Sequence, residues 1–172
     1  MIQRFRYRRN IIMSAIGLKR VEALLENLKR DIDWGSTTHS AQRLKLESLI
    51  TTKTLTTADS GKIFMLNLAG GFTVTLPSAT ATNVAGCHFT FIVGTDPTTA
   101  YIIEGGTTDK MAGKVVCSAG GNEDEENAIT GDRMNFVANT ALIGDKIEIF
   151  CDGTGYYGYG ITGAAGGITI TG

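Results

Sequence analysis

The chain has 172 residues, of which 42% are hydrophobic and 19% charged, with a formal net charge of −1. That length suits one domain with a real core plus an appendage and is too short for two ordinary domains. No stretch approaches the roughly 20 apolar residues of a membrane-spanning helix, which argues against a membrane partner.

The charge is unevenly placed. Residues 1–54 carry 11 Lys+Arg against 5 Asp+Glu, whereas residues 55–172 carry 5 against 12. A basic first third ahead of an acidic remainder suggests a segment that meets a partner of opposite charge, although such asymmetry can also serve solubility alone. The opening residues resemble a signal peptide only superficially. Their apolar run is short and soon reaches Lys19 and Arg20, so the reading is that the chain is not exported.

Residues 1–13 interleave Arg4, Arg6, Arg8 and Arg9 with Phe5 and Tyr7, have no cap or turn signal, and read as an extended basic arm. Four arginines with two aromatic rings can hold phosphates and stack bases. The domain that follows is acidic and would repel nucleic acid, so an acidic protein surface is the better-matched partner and no nucleic acid is expected. Residues 14–35 read as an amphipathic helix. Ser14 is a plausible N-cap, Leu18, Val21, Leu25, Leu28 and Ile32 recur at helical spacing, and Trp34-Gly35 supplies the stop. Such a stripe must be buried, either against the chain's own β-domain or against symmetry mates or a larger scaffold. An isolated seam of about three heptads is marginal.

Residues 36–54 read as a linker and a first strand, and residues 55–172 as a β-sandwich domain. Phe64, Leu66 and Leu68 alternate with polar or smaller residues, as do Phe72, Val74 and Leu76. Further runs occupy 88–93, 100–104, 113–117, 133–138, 146–151 and 156–161, with a last short one at Ile168 to Ile170. Short strands separated by Gly-, Asp-, Asn- and Thr-rich turns predict an antiparallel sandwich or jelly-roll-like domain. The fold class expected is mainly β, preceded by an arm and one helix.

Nothing in the pattern selects chemistry. Gly153, Gly155 and Gly158 match a dinucleotide-binding spacing, but poor helix material follows them, so a glycine-rich hairpin is expected. Residues 122–127 cluster acids without the alternation of a calcium loop and read as a solvated loop. His39 and His88 have no second histidine or cysteine at metal-ligand spacing. Cys87, Cys117 and Cys151 cannot all pair internally and read as reduced, packed hydrophobes. The expectation is a non-enzymatic chain without cofactor or metal.

The stretch LTTADSGKIFMLNLAGGFTVTLPSATATNVAGCHFTFIVGT from residue 55 resembles a segment recurrent in virion proteins of tailed bacteriophages. There an L-T-x-A-D-S-G-K turn feeds a strand, followed by V-T-L-P and G-x-x-F-x-F strands. GDKIEIFCDGTGYYGYG at 144–160 resembles the end of the same module, with Tyr156-Tyr157 at its aromatic pair. Such modules occur in capsid decoration (cement) proteins, head fibres and tail fibres. The resemblance therefore implies a trimeric structural protein of the virion with no active-site residues.

On that reading three copies associate through their β-domains with help from Leu18, Val21, Leu25, Leu28 and Ile32. Arms led by Arg4, Arg6, Arg8 and Arg9, with Phe5, Tyr7, Ile11 and Ile12 as apolar anchors, then clip neighbouring major capsid subunits on the outer capsid surface after assembly in the host cytoplasm. The alternative is a head or tail fibre that touches a host-surface glycan. For that contact Tyr156, Tyr157 and Tyr159 are the candidates, with strand packing as their structural role otherwise.

Overall fold

The alternating runs of the second part all become strands. In the computed structural model the described residues are 19–23, 44–106, 109–118 and 131–172. They belong to two compact units, Met1–Arg43 and Leu44–Gly172. In the first unit residues 19–23 are helical and exposed. The second unit takes in the first two strands, the segment that the sequence reading groups with the linker.

The described residues of the second unit form eleven strands: β1 (Leu46–Leu49), β2 (Lys53–Thr54), β3 (Ile63–Leu66), β4 (Thr73–Thr75), β5 (His88–Val93), β6 (Tyr101–Glu104), β7 (Met111–Cys117), β8 (Arg133–Phe136), β9 (Lys146–Cys151), β10 (Tyr156–Thr162) and β11 (Ile168–Thr171). They form a six-stranded sheet in the order β1-β3-β5-β9-β10-β7 and a five-stranded sheet in the order β11-β8-β6-β4-β2. The chain thus switches sheet at every step except the β9–β10 hairpin.

That switching corrects the expectation of antiparallel pairing. β1, β3 and β5 run parallel in one sheet, β2, β4 and β6 run parallel in the other, and β7 runs parallel to β10. The remaining pairs are antiparallel, so both sheets are mixed. A parallel pair needs a crossover connection, and among the first six strands each crossover is a strand of the opposite sheet in place of the usual helix, whereas β7 reaches β10 through β8 and β9. The first six strands therefore wind as successive turns of one flattened coil, and the later strands close onto it.

The two sheets share a single core. Phe64, Phe89, Phe91, Ile147 and Ile149 come from the larger sheet and Val74, Tyr101, Ile103, Met134 and Phe136 from the smaller, all essentially inaccessible. Phe64 and Phe91 stack at 5.4 Å between centroids, and Tyr101 meets the edges of Phe72 and Phe136 at 5.1 and 6.4 Å. The Tyr101 hydroxyl accepts from the Leu68 amide at 3.1 Å and lies within donating distance of the Leu66 and Thr95 carbonyls. It thereby ties the smaller sheet to the end of β3. Burial pushes this phenol's pKa upward. Leu68, read as a strand residue, stands beyond β3 and is exposed where the chain turns through Gly71, whose φ of 67° suits glycine.

Candidate functional site

The residues of the family-like motif fold the chain. In the stretch LTTADSGK, Thr57–Asp59 forms a 3-10 turn. The Thr56 amide and hydroxyl donate to Asp59 Oδ2 at 2.9 and 3.0 Å, and Ser60 Oγ accepts from the His88 amide at 3.1 Å. Lys62 pairs with Asp59 and, at 3.1 Å, with Glu47, which also pairs with Lys53. The bond from Lys53 is the largest influence on Glu47 and holds its carboxyl below the ordinary range. At Asp59 burial pulls the pKa upward, but the bonds from Lys62 and Thr56 outweigh it and the net shift is downward. The bond to Asp59 leads the causes that raise Lys62.

The second half of the motif is equally structural. Asp145 is buried and accepts from the Leu142 amide at 2.9 Å, the Thr162 hydroxyl at 2.8 Å and the Gly163 amide at 2.8 Å. Asp152 Oδ1 accepts from the Thr154 and Gly155 amides and the Thr154 hydroxyl, at 2.7–2.8 Å. The Thr154 amide bond leads the causes that hold its pKa at about 2. Gly153 adopts φ 93° in this turn, and Gly158 packs inward against Met134, so the 153–158 glycines build the expected hairpin.

The surface that these devices leave open is the outer face of the six-stranded sheet. Register aligns its outward side chains in three rows. His88, Phe150, Tyr157 and Ala112 form the first. Leu46, Ile63, Thr90, Glu148, Tyr159 and Lys114 form the second, and Ser48, Met65, Ile92, Lys146, Ile161 and Val116 the third. Leu46, Val116, Phe150, Tyr157, Tyr159 and Ile161 are all exposed. The rings form a cluster: His88 stacks on Phe150 at 6.1 Å, and Phe150 meets Tyr159 edge to face at 6.5 Å. The charges on the face are of both signs, with Lys146 bonded to Glu148 at 3.0 Å. The Asp152 carboxylate beside Tyr157 raises that phenol's pKa.

This face divides the three tyrosines of the glycan reading. Tyr157 and Tyr159 are 45% and 52% exposed, whereas Tyr156 is 1% exposed and donates its hydroxyl to the Pro77 carbonyl. Tyr156 is therefore a core residue out of a ligand's reach. Phe150, His88, Ile161 and Val116 were not among the sequence candidates. The signal was present: if Ile147, Ile149 and Cys151 point inward, the pleat turns Phe150 outward.

Arg4, Phe5, Arg6, Tyr7, Arg8, Arg9, Ile11 and Ile12 lie outside the described residues, as do Leu18, Leu25, Leu28, Ile32, His39 and the acidic run 122–127. Of the helical stripe only Val21 is described, and it is 53% exposed. Among the described residues no group of three or more His, Cys, Asp or Glu side chains is placed to hold a metal ion, and no helix is long and apolar enough to cross a membrane. Comparison with protein families found no matching family model, and comparison with curated proteins found no match.

Proposed function

We propose that this chain is a structural virion protein of a tailed bacteriophage, a decoration or cement protein that binds the outer capsid as a homotrimer and stabilises the lattice of the major capsid protein. The observation that carries the assembly role is the exposed apolar cluster on the outer face of the six-stranded sheet. An exposed cluster of rings and aliphatic side chains such as Phe150, Tyr157, Tyr159, Ile161 and Val116 marks an interaction site more often than a solvated one. Five inter-strand steps of about 4.8 Å make the whole face roughly 24 Å across, with the exposed apolar side chains gathered on β7, β9 and β10 and Leu46 apart on β1.

The occupant of that face is another copy of this chain. Lys114, Lys146 and Glu148 give it both signs of charge, so a copy can present opposite charges to it while the rings and aliphatic side chains bury one another. The phage assignment rests on the motif resemblance, and the basic segment 1–13 is the part suited to an acidic capsid surface. Three linked arms make weak contacts additive in residence time.

Gold-labelled antibody on purified virions tests the assignment. Label spread over the head is expected, and particles without label would contradict it. A second reading, a fibre that contacts a host glycan, is favoured by the exposed Tyr157 and Tyr159 beside Phe150, since aromatic rings rimmed by hydroxyls and carboxylates suit sugar rings. Label confined to the tail tip or to a few fibres would select it. Deleting residues 1–13 is expected to abolish particle binding and leave the oligomer intact. Undiminished binding would remove the arm from the mechanism.

A further inference from the structure

Two of the three cysteines face each other across the centre of the larger sheet. One position beyond the registered pair His88↔Phe150, the Cys151 amide donates to the Cys87 carbonyl at 2.9 Å and the Gly86 amide to the Cys151 carbonyl at 2.8 Å. Gly86 has φ 85°. This is the bond pattern of a bulge led by a left-handed glycine, in which Gly86 and Cys87 together oppose Cys151. His88 and Phe150 point outward, so the pleat sends both cysteines inward, where they are buried.

The sulfurs lie under one short stretch of chain. Cys87 Sγ is 3.7 Å from the Asn83 carbonyl and Cys151 Sγ 3.7 Å from the Ala79 carbonyl. Directly opposed residues of an antiparallel pair hold their Cβ atoms about 4.5–5.5 Å apart, and a disulfide needs about 3.5–4.5 Å. A strand adjustment of about 1 Å brings the Cβ atoms into range, and rotation about χ1 then aligns the two sulfurs. Cys117 cannot substitute. Cys151 opposes Tyr156, which opposes Met111, and Cys117 ends β7 roughly 20 Å further along at about 3.3 Å per residue.

We propose that Cys87 and Cys151 are an oxidisable pair that closes into a cross-strand disulfide when the protein leaves a reducing compartment, pinning β5 to β9. The oxidant class is a low-molecular-weight disulfide. One cysteine thiolate attacks it to form a mixed disulfide and expels one thiolate. The second cysteine thiolate then attacks the protein-bound sulfur, forms the intramolecular bond and expels the other. The two protons lost by the cysteines end on the two released thiols, so two electrons pass from the protein to the oxidant. Burial holds the Cys151 thiol's pKa above its ordinary value, which lowers its thiolate fraction and slows its attack. The chemistry does not depend on the assembly role.

The test uses the full chain with Cys117→Ser, incubated folded with bis(2-hydroxyethyl) disulfide, then unfolded, alkylated and mapped by mass spectrometry. The expected product is a linked peptide pair containing Cys87 and Cys151, with both thiols protected from alkylation, reversed by reductant, and with a urea midpoint above that of the reduced protein. Cys87→Ser in the same background should show neither linkage nor midpoint shift. Free thiols after prolonged oxidation, or separate adducts on each cysteine, would overturn the proposal. Should Cys117→Ser not fold, the wild-type chain is mapped instead, and a linkage through Cys117 would overturn it equally.

Discussion

The two faces of the six-stranded sheet are built from the same strands and differ in what they ask of the side chains. Along β10, Tyr156, Gly158, Gly160 and Thr162 turn inward and are buried, while Tyr157, Tyr159 and Ile161 turn outward and are exposed. The inner face mixes a large ring with two glycines because Met134 and Ile168 of the smaller sheet occupy the space that a Cβ would need. The outer face mixes polar and charged side chains with a cluster of exposed rings and aliphatic side chains, and no described residue covers those rings. Stability belongs to the first face, the proposed function assigns association to the second, and the two are tested by separate substitutions.

The largest expected effect comes from the inner face. Phe91→Ala removes a fully buried ring that stacks on Phe64 and should cost about 3–5 kcal/mol, read as a lowered urea midpoint. A loss within about 0.5 kcal/mol would mean that the two sheets do not share this core. Next is Asp145→Ala, which leaves the Leu142 amide, Gly163 amide and Thr162 hydroxyl without their acceptor. Unmade buried bonds of this kind cost about 2–3 kcal/mol.

A smaller effect is expected at the edge of the same sheet, where Glu47, Asp59, Lys53 and Lys62 join β1, β2 and β3. Glu47 and Asp59 have folded pKa values below their ordinary 4.5 and 3.8. Their contribution is full above those values and is lost as pH falls through the lower folded values. Lys62 is raised above 10.5, so its contribution is full below that value and is lost as pH rises through the raised one. Urea midpoints should therefore fall in both directions from neutral pH. Lys62→Met should lower the unfolding free energy at neutral pH by about 1–2 kcal/mol and flatten the acid limb. An unchanged acid limb would show that the network contributes nothing.

Much of this fold is legible in the sequence because period-two alternation reports which residues share a buried face. The runs around Phe64, Val74, Phe89, Ile147 and Ile168 all became strands with those side chains inward. Alternation carries no information about which strand lies alongside. KIEIFC and YYGYGI are adjacent and form a hairpin, whereas the Phe64 run pairs with the Phe91 run across an intervening strand of the other sheet. That long-range choice is why an antiparallel expectation met a mixed sheet. The candidate surface was half legible. Parity alone separates Tyr156 from Tyr157 and Tyr159, but only the pairing of β10 with β9 and β7 brings Phe150 and Val116 to the same face.

The smallest expected effect on stability, and the most direct test of the outer face as an assembly surface, is the combined variant Phe150→Ser, Tyr159→Ser, Ile161→Ser in the full chain. All three residues are exposed, so the unfolding free energy of the single chain should stay within about 1 kcal/mol of the parent's. Sedimentation equilibrium on both proteins is the deciding measurement. The account predicts a trimer for the parent chain and a folded monomer for the variant. A monomeric parent, or a variant that remains trimeric with an unchanged association constant, would contradict it.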